Sequence, residues 1–294
     1  MDEAKVIAIM AAGLGTRFGS LKQLHTINSS NYSIMDFSIY DAMSVGFNTI
    51  VFIVRQETLS VFKKRYKNQL PKKITVKFVI QDDKGLYPLR NKPFGTGSAL
   101  LSLKEIVKGN FALINADDFY GQKAFKLMYN NLYTNINNSN YFIGYQLENT
   151  LSKNGTVSRG ECYIDSDSWL KKIIERTQIA KEHGVIFYNK EENKKTRINK
   201  NTIVSMNFWG FTTEVFKVAE SEFEKFLKKE ENIINNEFYI TSIVDYSINK
   251  KLMQYKMLPT NSKWYGITYF ADAEDISKEI KRLINLNVYP EILW

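Results

Sequence analysis

Two adjacent carboxylates, Asp117 and Asp118, close the apolar run Phe111 to Ile114, and a glycine-rich turn, Ala11-Ala12-Gly13-Leu14-Gly15-Thr16-Arg17-Phe18-Gly19, closes the apolar run that begins at Val6. Glycines let backbone N–H groups approach and cradle phosphate oxygens. Arg17 and Lys22 add two cations; arginine chelates phosphate oxygens through a planar fork, whereas lysine acts as a point charge. Carboxylates at the C-terminal edge of a strand lie where open α/β sheets bind ligands, and hard oxygen donors suit Mg2+. These residue types fit chemistry on the phosphates of a nucleotide. Successive strand residues point to opposite faces, so one of the pair, Asp117, is expected to hold the metal, and Asp118 is left either at the site or as the cap of the following helix.

Two other uses of a glycine loop fit less well. A dinucleotide fingerprint needs G-x-G-x-x-G, but here the third glycine falls one place late, and the second apolar run ends Val54-Arg55-Gln56 without an acid for a ribose. The Gly-Lys-Ser/Thr of a P-loop is absent. Nucleophilic side chains are equally scarce: the chain has two histidines, His25 and His183, and one cysteine, Cys162, and no serine or cysteine has an evident base partner. That scarcity suits a reaction whose nucleophile is already an anion.

The loop resembles the A-A-G-x-G-T-R…K signature of the sugar-phosphate nucleotidyltransferases (nucleoside diphosphate sugar pyrophosphorylases), and its Lys22-Gln23 ending is similar to cytidylyltransferases of the polyol-phosphate group. Further stretches match in order. Phe94-Gly95-Thr96-Gly97-Ser98-Ala99 resembles the G-T-G-x-A segment that contacts base and ribose; Gln81 stands where some uridylyltransferases place a base-contacting glutamine, separated here by an insertion, Asp82 to Asn91. Ile114 to Gly121 resembles the strand end that carries a magnesium-binding aspartate. The resemblance implies a triphosphate site at Ala11, Ala12, Gly13, Gly15 and Thr16, with Gln81, Gly95 and Thr96 beside the base. It implies Arg17, Lys22 and Asp117 in the catalytic machinery.

Later stretches imply an acceptor site. Asn154-Gly155-Thr156-Val157, Lys172 to Glu175 and Ser205 to Phe211 resemble a glycine turn, an I-x-E strand end and an N-x-G-x-x-x-F strand, so Gly155, Glu175 and Asn207 are expected to hold sugar hydroxyls. Glu237 to Thr241 resembles E-Y-Y-L-T-D, with Ser242 replacing the aspartate. Trp264-Tyr265-Gly266-Ile267-Thr268 resembles W-x-D-x-G-T, and here Gly266 takes the place of a second metal-binding aspartate. Asp272 is the substitute expected for it, or else the N-cap of the last helix.

Short apolar runs at Val6 to Ala11, Thr49 to Val54, Val76 to Ile80, Phe111 to Ile114 and Tyr141 to Tyr145 read as buried strands. Ile34 to Val45, Thr58 to Gln69, Gly97 to Val107 and Gln122 to Leu132 carry helical spacing. After about Asn149 the rhythm changes. A hairpin is expected through Arg159 to Ile174, a mixed segment and a mobile loop over Asn189 to Asn201, a central strand over Asn199 to Phe211, helices over Glu214 to Lys229 and Tyr239 to Asn249, then a strand near Tyr265 to Tyr269 and a helix over Asp272 to Leu286. The expected fold is a Rossmann-like α/β domain over 1–294, with a mixed, mostly parallel central sheet flanked by helices and a small β-rich sugar-binding subregion. Residues 1–149 form mainly its nucleotide half and 150–294 mainly its acceptor half.

At 294 residues, with 44% hydrophobic and 14% aromatic, the chain can bury a core without disulfides or structural metals. One cysteine, no basic leader and no long apolar run point to a reduced, cytoplasmic, membrane-free protein. The net charge of +9 is spread in short lysine runs rather than gathered into a patch, which argues for solvated faces and against nucleic acid. The expected partners are an NTP, UTP or CTP first, and a phosphorylated small-molecule acceptor, with Mg2+ as cofactor. The apolar tail Tyr289 to Trp294 docks either on its own domain or on a partner, which leaves a homo-oligomer open. Rival readings are a cytidylyltransferase for a non-sugar phosphate, a silent nucleotide-sugar-binding regulator, for which Gly266 and Ser242 speak, and a glycosyltransferase, whose D-x-D is missing.

Overall fold

The computed structural model describes residues 3–13, 24–27, 30–81, 87, 90, 92–134, 139–189, 195–267 and 271–294. The expected site residues Gly15, Thr16, Arg17 and Lys22 lie outside them, as does most of the insertion 82–91. Elements run β1 (Val6–Met10), α1 (Ile34–Val45), β2 (Thr49–Val54), α2 (Leu59–Tyr66), β3 (Thr75–Ile80), α3 (Thr96–Leu101), β4 (Phe111–Asn115), β5 (Asp118–Phe119), α4 (Gln122–Tyr133) and β6 (Asn140–Gln146). Next come β7 (Val157–Ile164), β8 (Leu170–Glu182), β9 (Val185–Asn189), β10 (Lys195–Ile198) and β11 (Ile203–Phe211). The chain ends with α5 (Glu214–Leu227), α6 (Glu230–Ile234), α7 (Ile240–Asn249), β12 (Tyr255–Pro259), β13 (Tyr265–Gly266) and α8 (Asp272–Asn285).

The mixed sheet is ordered β10-β9-β8-β7-β11-β4-β1-β2-β3, with β6 beside β11 and β12 beside β6. Strands β4, β1, β2 and β3 are parallel, as short β-turn-α connections require. The antiparallel pairings all involve β11 or the hairpin strands β7 to β10. Alternation along β1 shows why the sheet is covered on both faces: Ile7 and Ile9 enter one core with α1, α2 and α4, whereas Val6 and Ala8 enter the other with α3, α5 and α7. Among the described residues no helix is long and apolar enough to cross a membrane.

Two expectations change. Residues 195–198, expected within a mobile loop, pair with β9 as an edge strand. Helical spacing over Gly97 to Val107 holds as regular α-helix only to Leu101, after which the chain tightens into bonds such as Leu103 N–H to Leu100 O (3.1 Å) and Lys104 N–H to Leu101 O (3.1 Å). His183 is the first residue of the two-residue turn joining β8 to β9; with Gly184 it adopts positive φ (47° and 83°), as a tight hairpin demands.

The tail docks on its own domain. Tyr289 and Leu293 are buried with α1, β5 and α8 in a third apolar cluster, and Tyr289 donates its hydroxyl to Asp41 Oδ2 at 2.8 Å. Removing 289–294 is therefore expected to cost about 3 kcal/mol or more in urea unfolding, the order seen when a large buried side chain is lost; an unchanged midpoint would contradict this docking. Asp41 carries a second consequence. Burial lifts its carboxyl well above the ordinary range, with hydrogen bonds from Tyr289 and Gln122 pulling back, and Oδ1 has no partner among the described residues. A raised folded pKa means the native state holds its proton longer, so this contribution is complete below the unfolded pKa and is lost as pH rises through the folded one. Asp41→Asn should raise stability at pH 7 more than at pH 5 in thermal melts, and a variant destabilised more at pH 7 would reverse the assignment.

Candidate active site

The site opens where the sheet forks. Along its first residues β11 lies against β7, with Ser205 opposite Gly160; from Trp209 onward it lies against β4, with Trp209 opposite Leu113. Between them is a bulge, and Asn207 occupies it at φ 58°, in the left-handed region that asparagine tolerates better than most residues. Strands β7 and β4 separate there. The end of β4 and the start of β7 then face each other across a gap rather than a hydrogen-bond ladder.

One buried hydroxyl ties the fork together. Tyr120 Oη accepts from the Asn115 N–H (3.0 Å), and its proton is shared between the Met206 carbonyl (2.9 Å) and Asp118 Oδ2 (3.1 Å). Asn115 donates its side-chain N–H to the same Asp118 Oδ2 at 2.8 Å. The backbone of the acidic pair is also held, Asp118 O by Ser38 Oγ (3.1 Å) and Asp117 O by the Ile267 N–H (3.0 Å). Asp118 is buried, whereas Asp117 is half-buried and lines both cavities of the site; strand alternation is not what sets them apart, because β4 ends at Asn115 and Asp117 lies in the turn before β5.

Two adjoining cavities share the wall Asn115, Asp117 and Asn207. The larger, about 450 Å³, is bounded by Met10, Ala12, Gly13, Gln81, Gly95 and Thr96 together with Lys92 and Glu237; it falls in the usual size range of a small-ligand site. Lys92 and Glu237 form an ion pair of 2.9 Å at its rim. Gln81 does not offer its amide N–H groups to this space: they donate to Gly95 O (3.0 Å) and Ser98 Oγ (2.5 Å), fixing the turn that leads into α3. The turn is in turn pressed against the segment before α7. Gly97 N–H donates to Phe238 O at 2.8 Å, and a Cβ on Gly97 would stand 2.5 Å from the Phe238 ring. Thr96 Oγ1 accepts the first N–H of α7, from Ile240, at 3.0 Å.

The smaller cavity, about 170 Å³, is lined by Asp117, Asp118 and Glu175 and by Arg159, Gly160, Ser205 and Trp264. Glu175 reaches it from β8, and Thr241 donates a hydroxyl bond to it at 3.2 Å. Burial raises the Glu175 carboxyl above its ordinary value, Thr241 and Arg159 pull it back, and Glu237 adds a further push upward. Arg159 is 7% exposed. It lies over the Trp264 ring with its guanidinium carbon 4.4 Å from the centroid. Burial lowers its pKa to about 10, opposed by Asp118, Glu175, Tyr120 and Asp117, so it stays charged at neutral pH.

Of the expected residues, the structure gathers Ala12, Gly13, Gln81, Gly95, Thr96, Asp117, Glu175 and Asn207 around these two cavities, with buried Ala11 adjoining them in sequence. It does not bring Gly155 there. That residue is exposed in the turn before β7, and the glycine in the cavity wall is Gly160, paired with Glu175 and Ser205. Asp272 is also elsewhere: in the first turn of α8 it accepts from Ser152 Oγ (2.9 Å) and Asn154 Nδ2 (2.7 Å), which staples the 152–154 loop to the helix. Arg159 and Lys92 were not singled out, and Asn115, Trp264 and Glu237 stood in matched stretches without being expected to line the site. A charged residue on the inward side of β7, between buried Val157 and Gly160, was the signal for Arg159.

Gly266 has a physical reason. It pairs with Asp118 in the small β5-β13 ribbon, and a Cβ there would lie 2.2 Å from two Trp264 ring atoms and 2.8 Å from Asp118 Oδ1. The indole and the Asp118 carboxylate occupy the space a side chain at 266 would need. Cys162 is buried, and burial raises its thiol pKa. Among the described residues no group of three His, Cys, Asp or Glu side chains forms a closed metal cage; Asp117 with the Oδ1 of Asp118 offers the one or two carboxylates that Mg2+ takes when phosphate oxygens complete its shell.

The parallel strands of the mixed sheet end at a cleft joined to a second, acidic pocket, which is where open α/β sheets bind ligands. The chain belongs to the nucleotidyl transferase family, whose defining pattern matches residues 6–282. A comparison with the curated proteins finds no match. Among solved structures it is similar to the inositol-1-phosphate CTP transferase from T. maritima, with 13% identity, 96% of this chain and 98% of that one covered, and a TM-score of 0.65. It is also similar to a protein assigned as a glucose-1-phosphate thymidylyltransferase from Bacillus anthracis (15% identity, 94% and 95% covered, TM-score 0.64). A UDP-glucose pyrophosphorylase complexed with UDP-glucose gives 17% identity, 95% and 99% coverage and a TM-score of 0.62. At these identities the likeness is one of fold.

Gly266→Ala should destabilise the protein by about 1–3 kcal/mol, the usual cost of overpacking, and shift the tryptophan fluorescence of the native state. Unchanged stability and spectrum would mean that Trp264 does not fill this space.

Proposed function

We propose that the chain transfers the nucleotidyl group of an NTP to a phosphorylated small molecule, a sugar 1-phosphate, giving an NDP-sugar and pyrophosphate. The single observation that carries this is the shared wall: Asn115, Asp117 and Asn207 separate a nucleotide-sized cleft from a small polar pocket, so a nucleotide's α-phosphate and an acceptor phosphate would meet at one place. UTP and CTP are the first candidates, on the resemblance of Gln81 and Lys22-Gln23 to uridylyl- and cytidylyltransferases. A sugar acceptor fits Glu175 and Asn207, and two of the similar structures are described as enzymes of glucose 1-phosphate or UDP-glucose. A non-sugar acceptor is the second reading, favoured by the likeness to an inositol-1-phosphate CTP transferase.

The chemistry asks little of side-chain nucleophiles. An acceptor phosphate oxygen, already anionic, attacks the α-phosphorus; the new P–O bond forms as the bond to the bridging oxygen breaks, and pyrophosphate leaves with that electron pair. Positioning and charge neutralisation are the main demands. Gly13 to Thr16 and Arg17 would cradle the triphosphate and Lys22 would bridge its phosphates. Gly95 and Thr96, braced by Gln81 and Phe238, shape the base end of the cleft. Asp117, with Asp118 behind it, would hold Mg2+, which when bound offsets charge on the phosphates. Gln81 acts through the turn it braces, not through a donor to the base.

Pyrophosphate release with Mg2+, measured over four NTPs and a panel of sugar 1-phosphates, inositol 1-phosphate and other phosphate monoesters, tests the reading. Asp117→Ala should lower that release by about 100-fold or more, as loss of a central charge-stabilising group does, with the melting temperature nearly unchanged because Asp117 is half-buried at an open wall. An active Asp117→Ala would remove its role. Nucleotide binding with no turnover of any acceptor would favour a silent binding protein.

A further inference from the structure

Arg90 is a buried cation, 1% exposed, that the proposed chemistry has not used. It belongs to the insertion Asp82 to Asn91 and lines neither cavity. Its guanidinium donates to four backbone carbonyls: one Nη to Asn232 O (3.2 Å) and Ile233 O (3.0 Å), the other to Pro93 O (3.1 Å) and Asn236 O (2.7 Å). Asn232 and Ile233 stand at the end of α6, where helix carbonyls lack partners within the helix. The guanidinium carbon lies 4.1 Å from the centroid of the Phe94 ring, which also packs edge-on against Tyr87, Phe223 and Phe226. Burying a guanidinium is costly, and charge-assisted bonds offset that cost. A planar fork can hold four carbonyls from separate segments at once; an ammonium with three donors on a flexible stem cannot hold the same set.

The clip joins the two segments that wall the larger cavity at the Gly95 and Thr96 end. Lys92, Pro93, Gly95 and Thr96 follow Arg90 in the chain, Glu237 follows Asn236, and all five line that cavity. A separate set of contacts continues the same seam. Phe238 N–H donates to Phe94 O (2.5 Å), Gly97 N–H to Phe238 O (2.8 Å) and Ile240 N–H to Thr96 Oγ1 (3.0 Å), while Lys92 meets Glu237 at 2.9 Å. Gly95 turns between them at φ 108°, and a Cβ on it would stand 3.0 Å from Phe238 O. Packing this close leaves little slack, so a shift of 236–238 displaces Gly95 and Thr96. Arg90 closes the end of the seam nearest α6.

We infer that Arg90 is a positioning residue for the nucleotide: by clipping 92–96 to 232–238 it fixes the base end of the cleft and sets nucleotide affinity without touching the ligand. The inference rests on the nucleotidyl-transfer reading for the identity of the ligand in the larger cavity. The acidic pocket is held by other contacts, Asp118 by Asn115 and Tyr120 and Glu175 by Thr241. Loss of the clip therefore falls on nucleotide binding first, and far less on the acceptor or on the rate at saturation. A small misplacement caused away from a site is enough to weaken it.

The test uses the full chain and non-hydrolysable α,β-methylene analogues of the four NTPs, with affinities measured by calorimetry well below the melting temperature. Arg90→Met keeps an unbranched stem over Phe94 and removes the four carbonyl bonds. It should weaken binding of the preferred analogue by about tenfold or more and raise the KM for that nucleotide to match, with the acceptor KM and kcat changed by about threefold or less. Arg90→Lys, which keeps the charge and loses the fork, should recover part of the affinity. A lowered melting temperature with unchanged nucleotide affinity would make Arg90 a stability residue only and overturn the inference, as would equal losses for nucleotide and acceptor. If Arg90→Met fails to fold, hydrogen exchange in the wild type decides: the bound analogue must slow exchange of the Arg90 guanidinium protons and the Phe238 amide, and unchanged rates there would overturn the inference. A wild-type chain that binds none of the four analogues would remove the nucleotidyl-transfer reading and this inference with it, whereas wild-type binding matched by Arg90→Met removes the inference alone.

Discussion

The Tyr120 hydroxyl is the contact on which the site depends. It meets the last N–H of β4, the Asp118 carboxylate and the carbonyl of Met206 within 2.9 to 3.1 Å, and so holds together two strands that have just parted company. A sheet normally satisfies its backbone groups by unbroken pairing. At the β11 bulge that pairing stops, and the exposed ends of β4 and β7 become walls of a pocket instead of neighbours in a ladder. The strained φ of Asn207 is the local conformational cost of this opening. Tertiary packing offsets it: Tyr120 is fully buried against Phe125 and Phe208.

From the fork follow the positions of the groups that matter. Asp117 projects to the shared wall because Asp118 is drawn inward by Asn115 and Tyr120. Asp118 in turn lies across from Gly266, and Trp264 fills the remaining space. Arg159 rests on that indole. Each member is fixed by the one before it, from a hydroxyl in the core to a guanidinium at the pocket surface. A site built this way is preorganised, which is what a reaction governed by positioning and charge asks of its protein.

Much of the framework was legible in the chain. Ile34 to Val45 and Thr49 to Val54 were readable to the residue, because Ser33 and Gly46 cap the helix and an unbroken apolar run marks a doubly covered strand. That Asp117, Asn207 and Glu175 come together around the cavities was legible through motif order. What was not legible depended on contacts distant in sequence. Gly155 and Gly160 both follow turn-like residues, and only the register of β7 against β8 and β11 shows that Gly160 faces the pocket. Asp272 sits at the first turn of α8, where a carboxylate is equally at home as a staple for a loop. Strand β10 carries the polar pattern of an exposed edge, Lys-Thr-Arg-Ile, which local patterning does not distinguish from a loop. Gly266 reads in sequence as a missing ligand; in space it is the room that Trp264 and Asp118 require.

The central claim is that nucleotide and acceptor meet at the wall formed by Asn115, Asp117 and Asn207. A crystal structure of the protein with the α,β-methylene analogue of the preferred nucleotide tests it most directly. The account predicts the base against Gly95 and Thr96, the triphosphate along Ala12 and Gly13, and the α-phosphorus facing the Arg159 pocket across Asp117. A nucleotide seated anywhere else, or one whose α-phosphorus points away from that wall, would contradict it.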